Sequence, residues 1–498
     1  MANKKIIIIG SGFAGLSAAC FMAKAGCEVT VLEKQATPGG RARQLKAQGF
    51  TFDMGPSWYW MTDVFEHFFN AFGKNVSDYY TLHRLDPSYR VYGKNNVMDI
   101  PAGYEALKVL FEKLEPDSAK QLDKFLEEAQ YKYKVGINKL VHKPGQSLNE
   151  FLDWDLLTGI FRLDVFNSIK THVGKHFKHP AIRQLMEFPV LFLGALPEKT
   201  PALYSLMNYA DIKGGTWYPE GGMYSIVKAI HTLALELGVN FCFEHDVREI
   251  IIEKNAAKRI VAVHKNELVS FEADAVIGGA DYHHIESALL PDASRSYTEA
   301  YWDKRVMAPG CLIYFVGLNK KLNSILHHSL FFDTSFEQHG REIYKTKEWP
   351  KDPLFYVSAT SVTDSTVAPE GCENLFFLVP VAAGLADDTE EKREYYFDKI
   401  VKRMEQKTGQ NIRDHIIYKK TYAHSDFVHE YNAFKGNAYG LANTLMQTAI
   451  LKPSCRSRKV KNLFYTGQLT VPGPGVPPSL ISGEVVAKEV LKSFKNQS

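Results

Sequence analysis

Three glycines close to the start of the chain have the spacing of a dinucleotide-binding loop. In GSGFAG, Gly10 permits a tight turn, Gly12 lets a pyrophosphate approach the backbone, and Gly15 allows a helix to pack closely on a strand. Phe13 and Ala14 lie where that helix would begin, so its first amide groups would point at the phosphates. The spacing predicts a pyrophosphate site at these five residues.

An acidic residue follows at the distance that such a site requires. Glu33 ends a second predicted strand, CEVTVLE, close to the ~20-residue spacing of dinucleotide-binding folds. Its carboxylate can accept hydrogen bonds from both hydroxyl groups of an adenosine ribose and would repel a 2′-phosphate, which argues against NADP. Lys34, the next residue, is assigned to the same cofactor site.

The sequence around the glycine loop predicts a βαβ unit. The run Ile6–Ile9 is apolar and β-branched, as in a parallel strand buried on both faces. The stretch from Ala14 to Lys24 favours a helix, which Gly26 ends. The glycine pattern alone is a weak signal, but here it stands in the strand, helix and strand context that the motif requires.

A second pair of glycines indicates which dinucleotide the loop would hold. Gly39 and Gly40 follow the second strand and precede Arg41 and Arg43. FAD extends further across the fold than NAD, so it has a use for glycines that permit close approach and for a cation that pairs with a phosphate. We therefore assign Gly40 and Arg41 to FAD. A solvated arginine is the alternative for Arg41 and the expectation for Arg43.

Four longer segments connect this pattern to a family. They are GFTFDMGPS from Gly49, GGTWYPEGGMYSIV from Gly214, VTDSTVAPEGC from Val362 and NLFYTGQLTVPGPGVPPSLISG from Asn462. With GxGxxG, the acidic strand end and GGR, they resemble the carotenoid desaturase branch of the flavin amine oxidase superfamily, in the order in which that branch has them. The resemblance implies a phytoene-desaturase-type enzyme that binds FAD non-covalently and removes a hydride from a carotene.

The same resemblance assigns further residues to the cofactor. The main chain of Val247 would meet the adenine, and Gly467, Gly475 and Val476 would meet the isoalloxazine ring or the ribityl phosphate. Plain strand packing is the alternative for Val247, and a turn made only for topology is the alternative for the C-terminal glycines. The GFTFDMGPS segment adds three residues to the cofactor set: Gly55, Pro56 and Ser57.

The sequence offers one candidate for handling the proton that leaves with the hydride. In SLNEFL, Glu150 stands where some family members have an acidic residue with a proton role. Those relatives continue with arginine where this chain has Asp153, and a surface helix position is the alternative reading of Glu150. The six cysteines are scattered without a CxxC pair, so we expect reduced thiols and no metal site.

The resemblance and the pattern of elements predict an α/β fold with two interleaved domains. A discontinuous Rossmann-type FAD-binding domain would comprise residues 1–85, 215–285 and 459–498, with GVNFCFEHDVREIIIE and ADAVIGGA returning as strands to its first sheet. A mixed-sheet plus helical substrate-binding domain would comprise residues 86–214 and 286–458. Its strands would include GCLIYFVGL and ENLFFLVPVAA, and its helical part around residues 105–210 is a candidate for membrane contact.

Composition and charge indicate which kinds of binding partner to expect. A formal net charge of +3 without an aromatic-interleaved basic tract predicts no nucleic-acid ligand. MANKK leads directly into a strand and no apolar run approaches 18 residues, so we expect neither a signal peptide nor a membrane-spanning helix. The expectation is a cytoplasmic protein attached peripherally to the membrane through Lys170, Lys175, Lys178 and the apolar run from Phe188.

Three alternatives remain open at this stage. Within the carotenoid class, the substrate is phytoene, a partly desaturated intermediate, or a later hydroxylated or cyclised carotene that undergoes 3,4-desaturation. The second class is a flavin amine oxidase, and the third is a non-catalytic protein that binds a lipid surface and keeps its flavin. For the desaturase, the expected partners are a carotenoid in the lipid bilayer, the membrane surface, and quinone or oxygen as electron acceptor.

Overall fold

The computed structural model describes residues 3–151, 163–194 and 196–496. Its strands are β1 Lys5–Ile9, β2 Glu28–Leu32, β3 Gln44–Ala47, β4 Phe50–Asp53, β5 Leu82–Arg84, β6 Tyr89–Gly93, β7 Val97–Ile100, β8 Trp217–Pro219, β9 Asn240–Cys242, β10 Asp246–Glu253, β11 Ala256–His264, β12 Glu267–Glu272, β13 Ala275–Gly278, β14 Gly310–Leu318, β15 His328–Phe332, β16 Phe355–Ser358, β17 Glu373–Val381, β18 Ile416–Tyr422 and β19 Leu463–Tyr465.

Ten helices of at least eight residues lie in the described ranges. In the described ranges they are α1 Phe13–Lys24, α2 Thr62–Asn70, α3 Tyr104–Leu114, α4 Ser118–Val135, α5 Ile169–His176, α6 Pro180–Glu187, α7 Tyr224–Glu236, α8 Glu390–Thr408, α9 His424–Tyr431 and α10 Val476–Lys495. None of the helices in these ranges has the length and hydropathy needed to cross a bilayer.

A parallel sheet carries the N-terminal βαβ unit. Its strand order is β9-β2-β1-β13-β19, which is the order 3-2-1-4-5 of Rossmann-type sheets when these five strands are numbered along the chain. Every neighbouring pair in it is parallel. The first strand contributes Ile6–Ile9, all buried, as the apolar sequence requires. The α/β fold class predicted from the sequence is confirmed.

One predicted strand does not join this sheet. β9 pairs with β2, but the chain then turns, and β10 forms a separate antiparallel sheet with β11 and β12. The amide of His245 bonds to the carbonyl of Glu33 (2.8 Å), so the chain crosses the end of β2 before β10 begins. The expectation that all of GVNFCFEHDVREIIIE belongs to the first sheet is therefore wrong.

A seven-stranded mixed sheet forms the second unit, in the order β18-β14-β17-β16-β15-β6-β7. The predicted strands GCLIYFVGL and ENLFFLVPVAA are β14 and β17, which pair antiparallel along their whole length. Alternate residues of β14 face opposite cores, with Phe315 toward helices α3–α6 and Tyr314 toward α8. The sheet therefore separates two apolar cores, as its period-two alternation requires.

The residue ranges proposed for the two domains stay a prediction.

Candidate functional site

The first glycine loop leaves an open space above the start of α1. Gly10 has φ +98°, and its amide bonds to the carbonyl of Leu32 (2.8 Å). A Cβ on Gly15 would lie 2.0 Å from the carbonyl oxygen of Gly10, so the helix approaches the strand closely only with glycine there. A Cβ on Gly12 would meet no atom within 4 Å. The loop is thus packed below and open above, as a pyrophosphate cradle needs to be.

Glu33 is held by more donors than the sequence indicates. Its Oε2 accepts hydrogen bonds from the amide and the hydroxyl of Ser11 (2.8 and 2.7 Å), and Oε1 accepts one from the amide of Gln35 (2.9 Å). A carboxylate offers about four acceptor positions. Ribose hydroxyls would therefore share Glu33 with the hydroxyl of Ser11, the one donor of the three that can rotate away.

The second pair of glycines lies directly against the first loop. The amide of Gly39 donates to the carbonyl of Ser11 (2.9 Å), and a Cβ on Gly40 would lie 3.3 Å from the Cα atom of Gly12. Gly55 packs in turn on Arg41, since a Cβ there would lie 2.4 Å from the Arg41 carbonyl oxygen. Three glycine segments that are separate in sequence thereby surround one space.

Arg41 forms no ion pair with a carboxylate among the described residues, although Asp281 attracts its charge from a distance. Its guanidinium donates to the carbonyl of Asn437 (3.3 Å), while its Nε is buried without a partner among the described atoms. Burial opposes the positive charge and lowers the pKa of Arg41. A phosphate at this place would supply both a hydrogen-bond acceptor and the opposite charge. The residues present therefore fit the diphosphate of FAD.

Arg43, in contrast, is not a solvated surface residue. Its guanidinium forms an ion pair with Glu430 and donates to Gln35 Oε1 (2.9 Å), and only 13% of its side chain is exposed. Burial opposes the charge, but the neighbouring Tyr431 and Glu430 raise the pKa of Arg43. The expectation of a solvated arginine is wrong because α9 packs over this segment, a contact between distant parts of the chain.

The C-terminal segment reaches the first helix. The amide of Gly467 donates to the hydroxyl of Ser482 (2.9 Å), and a Cβ on Gly467 would lie 3.9 Å from the Cβ of Ala14. Gly475 precedes α10 with φ +117°. Pro477 and Pro478 follow Val476 in the first turn of α10 and have no N–H group. The backbone amide that this turn can offer to a ligand is therefore that of Val476.

Val247 and Lys34 both lie near the end of β2. Val247 is 6% exposed and follows His245, whose amide bonds to the carbonyl of Glu33. The ammonium group of Lys34 donates to the carbonyl of His429 (2.8 Å) and so reaches α9. The contacts of both residues with the cofactor stay predictions.

Three of the family segments meet at one junction. Asp53 accepts hydrogen bonds from the amides of Met223 and Tyr224 (2.7 and 3.0 Å) and so caps the start of α7. Asp364 accepts one from the hydroxyl of Tyr218 (3.0 Å). Burial raises the pKa of Asp53 to about 7. Through these hydrogen bonds, Asp53 of the segment from Gly49 and Asp364 of the segment from Val362 both contact the segment from Gly214.

The short segment after Asp53 links this junction to the cofactor loop. Gly55 lies on the Arg41 backbone, and Ser57 hydrogen-bonds the hydroxyl of Tyr356. Pro56 stands between them and is partly buried. Their contacts with FAD stay predictions.

Glu150 holds a loop in place. Its carboxylate accepts hydrogen bonds from the amides of Gly145, Gln146 and Ser147 (2.8, 3.0 and 3.1 Å). A Cβ on Gly145 would lie 3.1 Å from a methyl group of Val471, so this loop covers the C-terminal turn. The contacts give Glu150 a structural role, and its proton role stays a prediction. Asp153 lies outside the described residues.

The structure adds one residue that the sequence did not indicate. Lys452 is 4% exposed, and its ammonium group donates to the side-chain oxygen of Asn443 (2.9 Å). A Cβ on Gly473 would lie 3.0 Å from this nitrogen, so Lys452 stands against the turn between Gly467 and Gly475. Burial lowers the pKa of Lys452 to about 7. In the sequence, Lys452 begins the basic segment KPSCRSRK, which is typical of an exposed surface. The apolar residues that precede it are the one local sign that Lys452 is buried.

Comparison with known proteins identifies the family. The model of the flavin-containing amine oxidoreductases matches residues 13–491. The chain belongs to this family. The flavin-containing amine oxidoreductase fold also appears in solved structures: an oxidoreductase from Methanosarcina mazei (TM-score 0.64, 16% identity, covering 97% of this chain and 100% of that one) and a putrescine oxidase triple mutant (TM-score 0.64, 13% identity, 99% of both chains).

Named relatives indicate the branch of the family to which the chain belongs. This flavin-containing amine oxidoreductase is 40% identical to the carotenoid 3,4-desaturase of Haloarcula japonica over 99% of both chains. It is 32% identical to the zeta-carotene-forming phytoene desaturase of Myxococcus xanthus, over 98% of this chain and 94% of that one. The predicted membership of the carotenoid desaturases within the family is confirmed, and FAD is the cofactor.

Proposed function

We propose that this protein is an FAD-dependent desaturase that forms a C=C bond near the end of a long carotene, in the manner of a 3,4-desaturase. The observation that carries the proposal is the 40% identity over 99% of both chains with a carotenoid 3,4-desaturase. Phytoene desaturation is the second candidate, because the 32% identical relative is a phytoene desaturase. The glycine cradle and Arg41 support the FAD step common to both.

An aromatic cluster beside the seven-stranded sheet supports an apolar substrate. The ring of Trp58 lies 5.3 Å from that of Tyr89 and 6.2 Å from that of Phe188, and Phe188 lies 6.0 Å from Phe332. These rings belong to the larger apolar core, between the sheet and helices α3–α6. A hydrocarbon needs apolar contact rather than a charged clamp, and this region offers such contact.

Removal of two hydrogens from neighbouring carbons releases a hydride and a proton. FAD, when bound, would supply the acceptor for the hydride and its electron pair. We assign the proton to the Nζ atom of Lys452, because this group is buried against the C-terminal turn and a pKa of about 7 leaves a large neutral fraction at neutral pH. Asn443 orients the nitrogen. A quinone or oxygen would supply the final electron acceptor.

Peripheral membrane attachment completes the proposal. A carotene is dissolved in the bilayer, so the protein must reach it there. Phe166 is 76% exposed and lies near α5, which carries Lys170 and Lys175. Met446 is 71% exposed in a second apolar stretch, between exposed Leu445 and Leu451. Apolar side chains beside lysines are typical of surfaces that bind anionic lipid.

The substrate is tested with purified protein in liposomes loaded with one of three carotenes: phytoene, an acyclic conjugated carotene, or its end-hydroxylated form. We expect chromatography and absorption spectra to show one added double bond in a conjugated carotene, and no change in phytoene. Conversion of phytoene alone would favour the second candidate. Peroxide release from a polyamine without carotene turnover would instead indicate an amine oxidase.

A further inference from the structure

We propose that His67, His142 and Glu484 form a binding site for a divalent transition metal of the zinc type. The three side chains come from α2, from the segment that follows α4, and from α10. They lie far from one another in sequence, so no local spacing could have indicated a metal site. The proposal is independent of which carotene the enzyme uses.

The distances between the ligand atoms suit a tetrahedral ion. His142 Nδ1 lies 3.4 Å from Glu484 Oε2, and His67 Nε2 lies 3.7 Å from the same oxygen. Ligands about 2.0–2.1 Å from zinc at tetrahedral angles stand roughly 3.4 Å apart. All three ligand atoms lie within 4.8 Å of one another, so an ion fits between them after small shifts of the side chains. Two imidazoles and one carboxylate are a known zinc ligand set.

A cavity beside the cluster provides the remaining coordination positions. It has a volume of about 570 Å³ and is bounded by α2, α10 and the segment after α4. The ligand set leaves at least one position of a four-coordinate ion open toward this space, where water would bind. The lining residues are Asp63, Val64, His67, Phe68, Ile137, Asn138, His142, Leu480, Ile481, Glu484 and Lys488.

The charge of Glu484 favours a cation. Only 9% of its side chain is exposed. Lys488 contacts Oε1 (2.5 Å), whereas both imidazoles face Oε2. The lysine thus leaves the metal-facing oxygen accessible, and its 63% exposed side chain is able to move away.

The described residues contain a second cluster of two histidines and one glutamate, which is the other candidate for the metal site. Glu128, His172 and His176 also lie within reach of one ion. There, however, the buried ammonium group of Lys132 stands 3.4 Å from His172 Nε2 and already supplies a positive charge. The His67 cluster contains no such buried ammonium group among the residues described around it. We therefore assign the metal to the His67 cluster.

The experiment uses tag-free holoenzyme that has been treated with EDTA and dialysed. Titration calorimetry with ZnCl₂ is expected to show one ion per chain. His67→Ala and His142→Ala are each expected to weaken binding by about tenfold or more, and the double variant is expected to lose it. His283→Gln, which removes an imidazole that lies 2.8 Å from Glu299 on the surface, is the matched control and should bind zinc normally.

Flavin absorbance and circular dichroism show whether each variant is folded, so a loss of binding is not confused with unfolding. Crystals soaked in zinc should give an anomalous peak between the two imidazoles and Glu484. The proposal is overturned if the parent protein binds no zinc below millimolar concentration. It is also overturned if the double variant binds as the parent does, or if the peak lies at the His172 cluster.

Discussion

A side chain at position 12 should block cofactor binding without disturbing the fold. Its φ of −69° and ψ of 175° suit any residue, and a Cβ there meets no atom of the protein within 4 Å. Gly12→Val should therefore fold but place a branched side chain where the diphosphate of FAD belongs. We expect purified protein with near-native circular dichroism and without flavin absorbance.

Gly15→Ala is the control for this prediction, because its Cβ would collide with the Gly10 carbonyl at 2.0 Å. This variant should lower the melting temperature, unlike Gly12→Val. Stoichiometric flavin in Gly12→Val would contradict the assignment of the loop.

Replacement of Glu33 by alanine should weaken FAD binding for two reasons. The ribose loses a charged acceptor, a hydrogen bond that contributes roughly 1.5–3 kcal/mol. In addition, Ser11 loses the partner that holds the loop. Titration of the apoprotein should show a loss of about tenfold or more. Ser11→Ala removes only the hydroxyl, and its smaller loss would separate the two contributions. An unchanged dissociation constant for Glu33→Ala would make Glu33 a plain strand end.

Lys452 should give the protein a distinctive pH dependence. Burial lowers its pKa to about 7, whereas an unfolded lysine titrates near ~10.4. Between these values the unfolded chain binds one more proton, so this group's contribution to the free energy of unfolding rises with pH. Lys452→Met should therefore melt higher than the parent near pH 7, with a difference that shrinks toward pH 10.

The same variant tests the proton role of Lys452. Lys452→Met and Lys452→Arg should both retain flavin but desaturate slowly, because neither accepts a proton at neutral pH. In the parent, turnover should rise as pH passes through about 7, where the Lys452 ammonium deprotonates. A parent-like rate in Lys452→Arg would refute this role.

At the scale of elements, α7 depends on a cap that comes from a distant strand. Asp53, at the end of β4, accepts the amides of Met223 and Tyr224 at the start of the helix. Asp53→Ala should destabilise the protein by about 0.5–2 kcal/mol, the usual cost of a lost cap. Asp53→Asn keeps one acceptor and should cost less. Thermal denaturation of both variants measures the difference, and equal stability of parent and alanine variant would show that the cap is dispensable.

At the scale of the whole molecule, the surface around α5 should direct the protein to membranes. The holoenzyme should float with anionic liposomes and float less at 1 M salt, where screening shortens electrostatic reach to about 3 Å. Charge reversal at three lysines should reduce flotation without loss of flavin: Lys170, Lys175 and Lys178. The matched control reverses three exposed lysines of the β10–β12 sheet: Lys254, Lys258 and Lys265. Equal flotation of both triple variants would place the membrane surface elsewhere.

The sequence by itself determined the cofactor loop, because steric demands on glycine are local. Gly10, Gly15 and Gly40 each lie where a side chain would strike or strain the backbone, and such positions are visible as fixed spacings. The apolar run GCLIYFVGL likewise predicted a strand, which is β14. At Gly10 and Gly15 the demand is local, a positive φ and a carbonyl five residues away, whereas Gly40 also meets the Cα atom of Gly12.

Only the tertiary structure decided which polar groups are buried and what they contact. Arg43 is part of an ion pair because α9 packs over it, and Lys452 is buried because it packs between Asn443 and the turn at Gly473. His67, His142 and Glu484 came together from three elements. A side chain's partners and its cost of desolvation depend on segments far away in sequence, and no local pattern of residue types records them.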